Sequence, residues 1–171
     1  MSDLALEGPH WSFALSVYRQ PGVSEACLAL QDGAGLDVNT LLVGLYGWSV
    51  GDSAFATHRL AAIDAAITPV RDGVVKPLRS VRRAMKGMDE ARFGATWDGL
   101  RNRVKSAELA AEQFEQALLA SHVVPGGTPE GSARAVAEAI VGLYAGRTGA
   151  ALADFAGPIG VVVAAAEAAA R

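Results

Sequence analysis

The chain has a single cysteine among 171 residues, Cys27, so no disulfide can close within it and its thiol usage suits a reducing compartment, the cytoplasm. Charged residues make up only 19% and aromatics 6%. The three histidines, His10, His58 and His122, are scattered without the short spacing of metal ligands, so neither a metal nor a cofactor is expected. There is no Walker loop, no nucleophile elbow and no dinucleotide fingerprint, which leaves enzymatic chemistry without a sequence signature. The longest apolar run, Pro158 to Ala166, is well short of the ~18 residues of a membrane span, and residues 1–9 have neither the positive start nor the apolar stretch of a secretory signal. A net charge of −3 with pI 5.6 argues against dedicated nucleic-acid binding. Disorder is excluded by the opposite measure, since 51% of the residues are hydrophobic.

What is present is helical spacing, almost everywhere, with abundant alanine and short β-branched runs. The expected fold is all-α, an irregular helical bundle. Trp11, Leu15 and Tyr18 fall at i, i+4, i+7 in a first helix that Pro21-Gly22 ends. Ser24 is placed to cap a second helix with Val23, Cys27 and Leu30 inward, stopped by Gly33 and Gly35. Asp37 is the expected N-cap of a third, with Leu36 and Leu41 as its hydrophobic staple. Gly44 and Gly47 within that helix permit another helix to approach closely, at a cost of about 1 kcal/mol each in propensity.

Gly51-Asp52-Ser53 opens a long stripe from Ala56 to Met85, interrupted by Pro69 and Pro77, where a kink or a break is expected. Beyond Lys86-Gly87-Met88, Phe93, Trp97, Leu100, Val104, Ala107, Ala111, Phe114 and Leu118 step by alternating fours and threes. That is a heptad seam on a helix of about 50 Å. A short turn favours antiparallel packing, so the spacing predicts a long antiparallel helical hairpin, about 53–86 against 89–122, with the seam closing on its own chain. The domain reading is a helical bundle over 1–122, a linker over 123–132 and an Ala-rich helical tail over 133–171, docked on the hairpin or on a partner.

Several of these motifs recur together: Trp11-x-Phe13, Tyr18, Pro21-Gly22-Val23, Cys27-Leu28-x-Leu30-Gln31-Asp32, Asp37-Val38-Asn39, Leu41-Leu42 and Pro77-Leu78-Arg79-x-x-Arg82-Arg83. In them the chain resembles, over about residues 10–120, a small proteobacterial family classed as a domain of unknown function. It departs from that pattern in carrying Val70 where the family has tryptophan before the arginine at 71. The resemblance implies a compact helical cytoplasmic protein and brings no assigned activity.

Two clusters carry possible chemistry. Gln31, Asp32, Asp37 and Asn39 crowd a corner between two apolar helices. As a site they make a polar pocket with carboxylates for a ligand or a proton; as structure they are caps and helix ends. Lys76, Arg79, Arg83 and Lys86 fall within about 80° of one another on a helix, with Arg71 and Arg82 nearby. Such a stripe suits a phosphate or an acidic protein surface. Its ordinary fate is a solvated face, or pairing with Asp98, Glu108, Glu112 and Glu115 on the antiparallel helix. The expectation taken here is the solvated face. The stripe has no interleaved aromatics for stacking single strands, and Cys27 lies on an apolar face as a small hydrophobe.

The first functional expectation is a non-catalytic cytoplasmic protein, monomer or homodimer, that binds another macromolecule, a protein, through the basic face. The alternative is a small-molecule or phosphate-bearing-ligand binding protein or enzyme, with a pocket near Gln31–Asn39 walled by Trp11, Phe13, Tyr18, Tyr46 and Trp48. Geometry separates them. A corner and arginines more than about 15 Å apart cannot share a ligand, because polar contacts reach only ~3 Å.

Overall fold

Asp37 starts a helix as its place between Leu36 and a periodic apolar run predicts. In the computed structural model, which describes residues 4–52, 54–86, 88, 90–126 and 131–171, its carboxylate accepts the Asn39 backbone N–H at 3.2 Å and the Thr40 hydroxyl at 2.7 Å. This helix, α3 (Val38–Ser49), follows α1 (Pro9–Tyr18) and α2 (Val23–Ala34). Leu36 and Leu41 are both buried beneath it. The start of α2 departs from expectation: Gly22, at φ +80°, is its N-cap, and Ser24 falls inside the first turn. It ends at Gly35, φ +67°, a left-handed conformation that glycine adopts at no steric cost.

Two π-helical turns interrupt the stripe that runs to Met85. One, Phe55–Arg59, precedes α4 (Leu60–Val70); the second, Arg71–Val75, joins α4 to α5 (Lys76–Lys86). The second lies between the two prolines, whose missing N–H groups break the regular ladder and leave room for a wider turn. α6 (Glu90–Ala120) then packs along α5, so the expected hairpin is present, with a non-helical break at Gly94. Ser53, Gly87 and linker residues 127–130 lie outside the described residues. The fold is all-α, and no strand is present among the described residues.

α7 (Ala133–Thr148) and α8 (Ala156–Ala169) pack mostly against the N-terminal helices rather than the hairpin: α7 against α3, and α8 against α1 and α2. Ala137, Ile140, Val141 and Ile159 share one buried cluster with Val17, Leu30, Leu41 and Ile67. The third helix makes room for this. A Cβ added at Gly44 would lie 2.3 Å from Ile140 Cδ1. Leu152–Ala169, with mean hydropathy 1.5, is long and apolar enough by composition to cross a membrane, a longer run than Pro158–Ala166 suggests. Its inward residues Ile159, Val162, Val163 and Ala166 are buried in the shared core.

Two apolar stripes do not face where periodicity places them. In α1 the core takes His10, Phe13, Ala14 and Val17, leaving Trp11 and Leu15 half-buried and Tyr18 exposed. In α6 the seam stays largely open, with Phe93, Leu100 and Phe114 exposed by 47%, 50% and 43%. The helix instead turns Glu108, Glu115, Gln116 and Leu119 inward. α5 supplies the reason. Its inward side carries Arg79 and Arg82, and a desolvated guanidinium without a carboxylate costs far more than a half-exposed leucine.

Candidate functional site

The stripe that α1 withholds from the core becomes one wall of a groove. Trp11, Leu15 and Tyr18 face Leu28 of α2, Leu42 of α3 and Leu109 of α6 across a cavity of about 330 Å³. That volume lies within the range of small-molecule sites. Gln31, Asn39 and Gln116 form its polar side, and Arg79, Arg82, Arg83 and Lys105 its basic one, with Glu108 and Glu112 between them. Of the other aromatics expected as walls, Phe13 is buried in the core with its ring centroid 5.9 Å from that of Tyr46, and Trp48 donates to the Gly131 carbonyl at 3.3 Å; none of the three lines the groove.

The acidic corner and the arginines therefore meet. Arg79 Nη1 donates to Gln31 Oε1 at 2.8 Å, while its Nη2 bonds Glu112 and its Nε reaches Glu108 at 3.4 Å. Arg82 bonds the same Glu108, through Nε and through Nη2 at 3.1 Å. The expected solvated stripe thus divides. Arg79 and Arg82 are locked into internal pairs, because α6 offers them its carboxylates. Arg83 stays half-exposed, 3.7 Å from Asp32, itself exposed; Lys86 is exposed, and exposed Lys76 pairs with Asp72 at 2.8 Å. Burial holds Glu112 above the usual carboxylate range even though Arg79 bonds it.

Behind the groove lies a buried polar network that sequence reasoning only partly reached. Asn39 Nδ2 donates to Glu115 Oε2 at 2.7 Å, and Gln116 Nε2 donates to Asn39 Oδ1 at 2.9 Å. Arg71, placed by its spacing in the basic stripe, is buried instead. It donates to Asp64 at 2.6 Å and to the Tyr144 hydroxyl at 2.9 Å, and lies 3.8 Å from Asp37. Tyr144 donates in turn to Asp64, which also pairs with Arg147 at 2.8 Å. Burial opposes the charge on Asp64, but bonds from Tyr144, Arg71 and Arg147 outweigh it and hold the carboxyl below its ordinary range. Two arginines thus balance Asp37 and Asp64. Glu115 is the unmatched acid, pushed up to about 8 by burial and by the neighbouring Asp37 charge.

A second cavity, of about 340 Å³, opens on the far side of this network beside Thr68, Arg71, Tyr144 and Arg147. Asp64 had a visible signal, a carboxylate beside Ile63 in an otherwise apolar stripe from Leu60 to Ile67. Tyr144 had none, since its hydroxyl finds Asp64 and Arg71 only once α7 docks. The Cys27 thiol, pushed up to about 12 by burial, is packing rather than a nucleophile. No group of three or more potential metal ligands gathers among the described residues.

A family model described as a protein of unknown function, DUF2390, matches residues 9–119, a span that contains every residue lining the groove. Neither the curated proteins nor the solved structures provide a match.

Proposed function

This chain belongs to the DUF2390 family, and we propose that it binds a small amphipathic molecule bearing a phosphate or carboxylate in the groove between α1, α5 and α6. The observation that carries this reading is the junction of the Gln31–Asn39 corner with the arginines, opposite an apolar wall the core leaves unused. Apolar walls with a few placed polar groups are the usual make-up of ligand pockets. Arg79 and Arg82 are already neutralised by glutamates. Arg83 and Lys105, both exposed, are the cations left for an anionic group at the rim. The cysteine usage supports a cytoplasmic location.

A thermal-shift screen against nucleotides, sugar phosphates and organic acids tests the reading. A ligand at about 100 times its Kd adds ~2.7 kcal/mol, which raises the Tm of a chain this size by about 5–10 °C. The shift should shrink in the R83Q/K105Q double variant, whose own Tm should barely differ from the parent's. Silence across the screen, or a shift the double variant leaves intact, would overturn the reading.

The open α6 stripe favours a second reading, docking of a protein, specifically a second copy. A heptad stripe along one helix is complementary to itself across a two-fold axis. Sedimentation should then give a dimer mass that L100S/F114S converts to monomer. A monomer at high concentration rejects it.

A further inference from the structure

The hairpin is longer on one side than on the other. Arg82 bonds Glu108, and Arg79 reaches Glu108 and Glu112, which fixes the antiparallel register of α5 and α6. One turn beyond Arg82, α5 ends at Lys86, level with about residue 104 of its partner. α6 starts earlier, past the break at Gly94, so residues 95–103 extend about 13 Å beyond the end of α5. Seven of those nine residues are exposed, and Trp97 and Arg101 are half-buried.

The faces of this arm differ. Trp97, Leu100 and Val104 fall within about 60° of one another on the helix, and Arg101 and Arg103 stand at the two edges of that stripe. Asp98 falls about 130° from its centre. Phe93 carries the stripe across the Gly94 break by packing on Trp97, ring centroids 5.2 Å apart, and Met88 in the turn is exposed as well. Residues 81–106 hold seven basic side chains against three acidic ones, in a chain whose net charge is −3. Arg82 is neutralised by Glu108 and Arg83 lies near Asp32, but Lys86, Arg103 and Lys105 are exposed around the stripe.

We propose that this end of the hairpin docks on an anionic lipid surface. Phe93, Trp97 and Leu100 enter the headgroup boundary, while Lys86, Arg103 and Lys105 face the lipid phosphates. Aromatic and leucine side chains between basic ones are what interfacial helices use, and an indole favours the headgroup level. A nucleic-acid strand stacks its bases on successive aromatics along a groove. Here the two aromatics pack on each other at a projecting tip instead. The docking surface stands apart from the ligand reading, since Lys86, Phe93, Trp97, Leu100 and Arg103 do not line the groove.

Flotation of the full chain with vesicles tests this, using phosphatidylcholine alone and phosphatidylcholine mixed with phosphatidylglycerol. The chain should float with the mixed vesicles and not with the neutral ones, and high salt should release it. K86Q/R103Q should weaken binding about thirtyfold, since each cation near such a surface contributes about fivefold. Leu100→Ser should weaken it about fivefold through the apolar area it withholds. Tryptophan emission should move to shorter wavelength on the mixed vesicles, and Trp97→Phe should lose that shift. Should a variant misfold, the lipid and salt dependence of the parent decides. No flotation overturns the proposal, as does flotation that K86Q/R103Q or Leu100→Ser leaves intact, or an emission shift that survives in Trp97→Phe. Oligonucleotide binding that K86Q/R103Q weakens, without flotation, overturns it in favour of nucleic acid. A dimer mass that Leu100→Ser abolishes, again without flotation, overturns it in favour of a second copy.

Discussion

At the scale of single residues, Glu115 makes the sharpest claim. Its folded pKa of about 8 stands above the ordinary 4.5, so between those values the native state keeps a proton that the unfolded chain has lost. The unfolded state then binds fewer protons. Stability is fully present below about pH 4.5 and falls as pH rises toward 8. Glu115→Gln keeps the neutral geometry, since its amide can donate to Asp37 and accept from Asn39. Urea midpoints of parent and variant should nearly coincide in mild acid and separate in mild alkali, the variant becoming more stable by a few kcal/mol. A parent midpoint that does not fall toward alkaline pH would mean Glu115 is ionised at neutrality.

The arginines make a second comparison at the same scale. Arg79→Gln strands Glu112 and loosens Glu108, and should cost about 3 kcal/mol, the low end for a broken buried pair because Arg82 still holds Glu108. Arg83→Gln removes an exposed cation and should change stability by less than about 0.5 kcal/mol. Denaturation of the two single variants separates them. Equal costs would contradict the division of the stripe. From sequence the two residues look alike, four apart on one amphipathic helix. Their fates diverge only because α6 brings Glu108 and Glu112 to one and not to the other.

At the scale of elements, local chemistry was legible and rotational phase was not. The Asp37 cap, the Gly35 stop and the hairpin follow from interactions within a few residues, or from a turn too short for anything else. The facing of α1 and α6 does not. Counting apolar positions assigns Trp11–Leu15–Tyr18 and Phe93–Leu118 to the core, whereas the core prefers Phe13 and Val17 in one helix and the α5 arginines draw in the acidic flank of the other. The polar corner was visible as a cluster. Its completion by Gln116 was not, because that side chain joins Asn39 from 77 residues away. The α3–α7 contact gives a quantitative test at this scale. Gly→Ala inside a helix normally gains about 1 kcal/mol, yet Gly44→Ala should lose about that much by forcing Ile140 aside. Ile140→Val, which deletes the clashing methyl, should offset part of that loss, so the double variant should be more stable than the sum of the singles. Strict additivity in urea denaturation would show that the helices are not so close.

At the scale of the whole molecule, the groove exists because the C-terminal helices complete the core without it. α7 and α8 cover α1, α2 and α3 from one side, which frees the outer face of α1 to wall a cavity against the hairpin. The three tryptophans report on this arrangement separately: Trp11 lines the groove, Trp48 is tied to Gly131, and Trp97 stacks near Phe93 on the hairpin. Their indole N–H resonances, followed by NMR while an amphipathic anion found by thermal shift is titrated in, test the central claim most directly. The account predicts that the Trp11 resonance moves and saturates with the ligand's Kd while that of Trp48 stays in place. Movement confined to Trp97, or no saturable movement of Trp11, would contradict it.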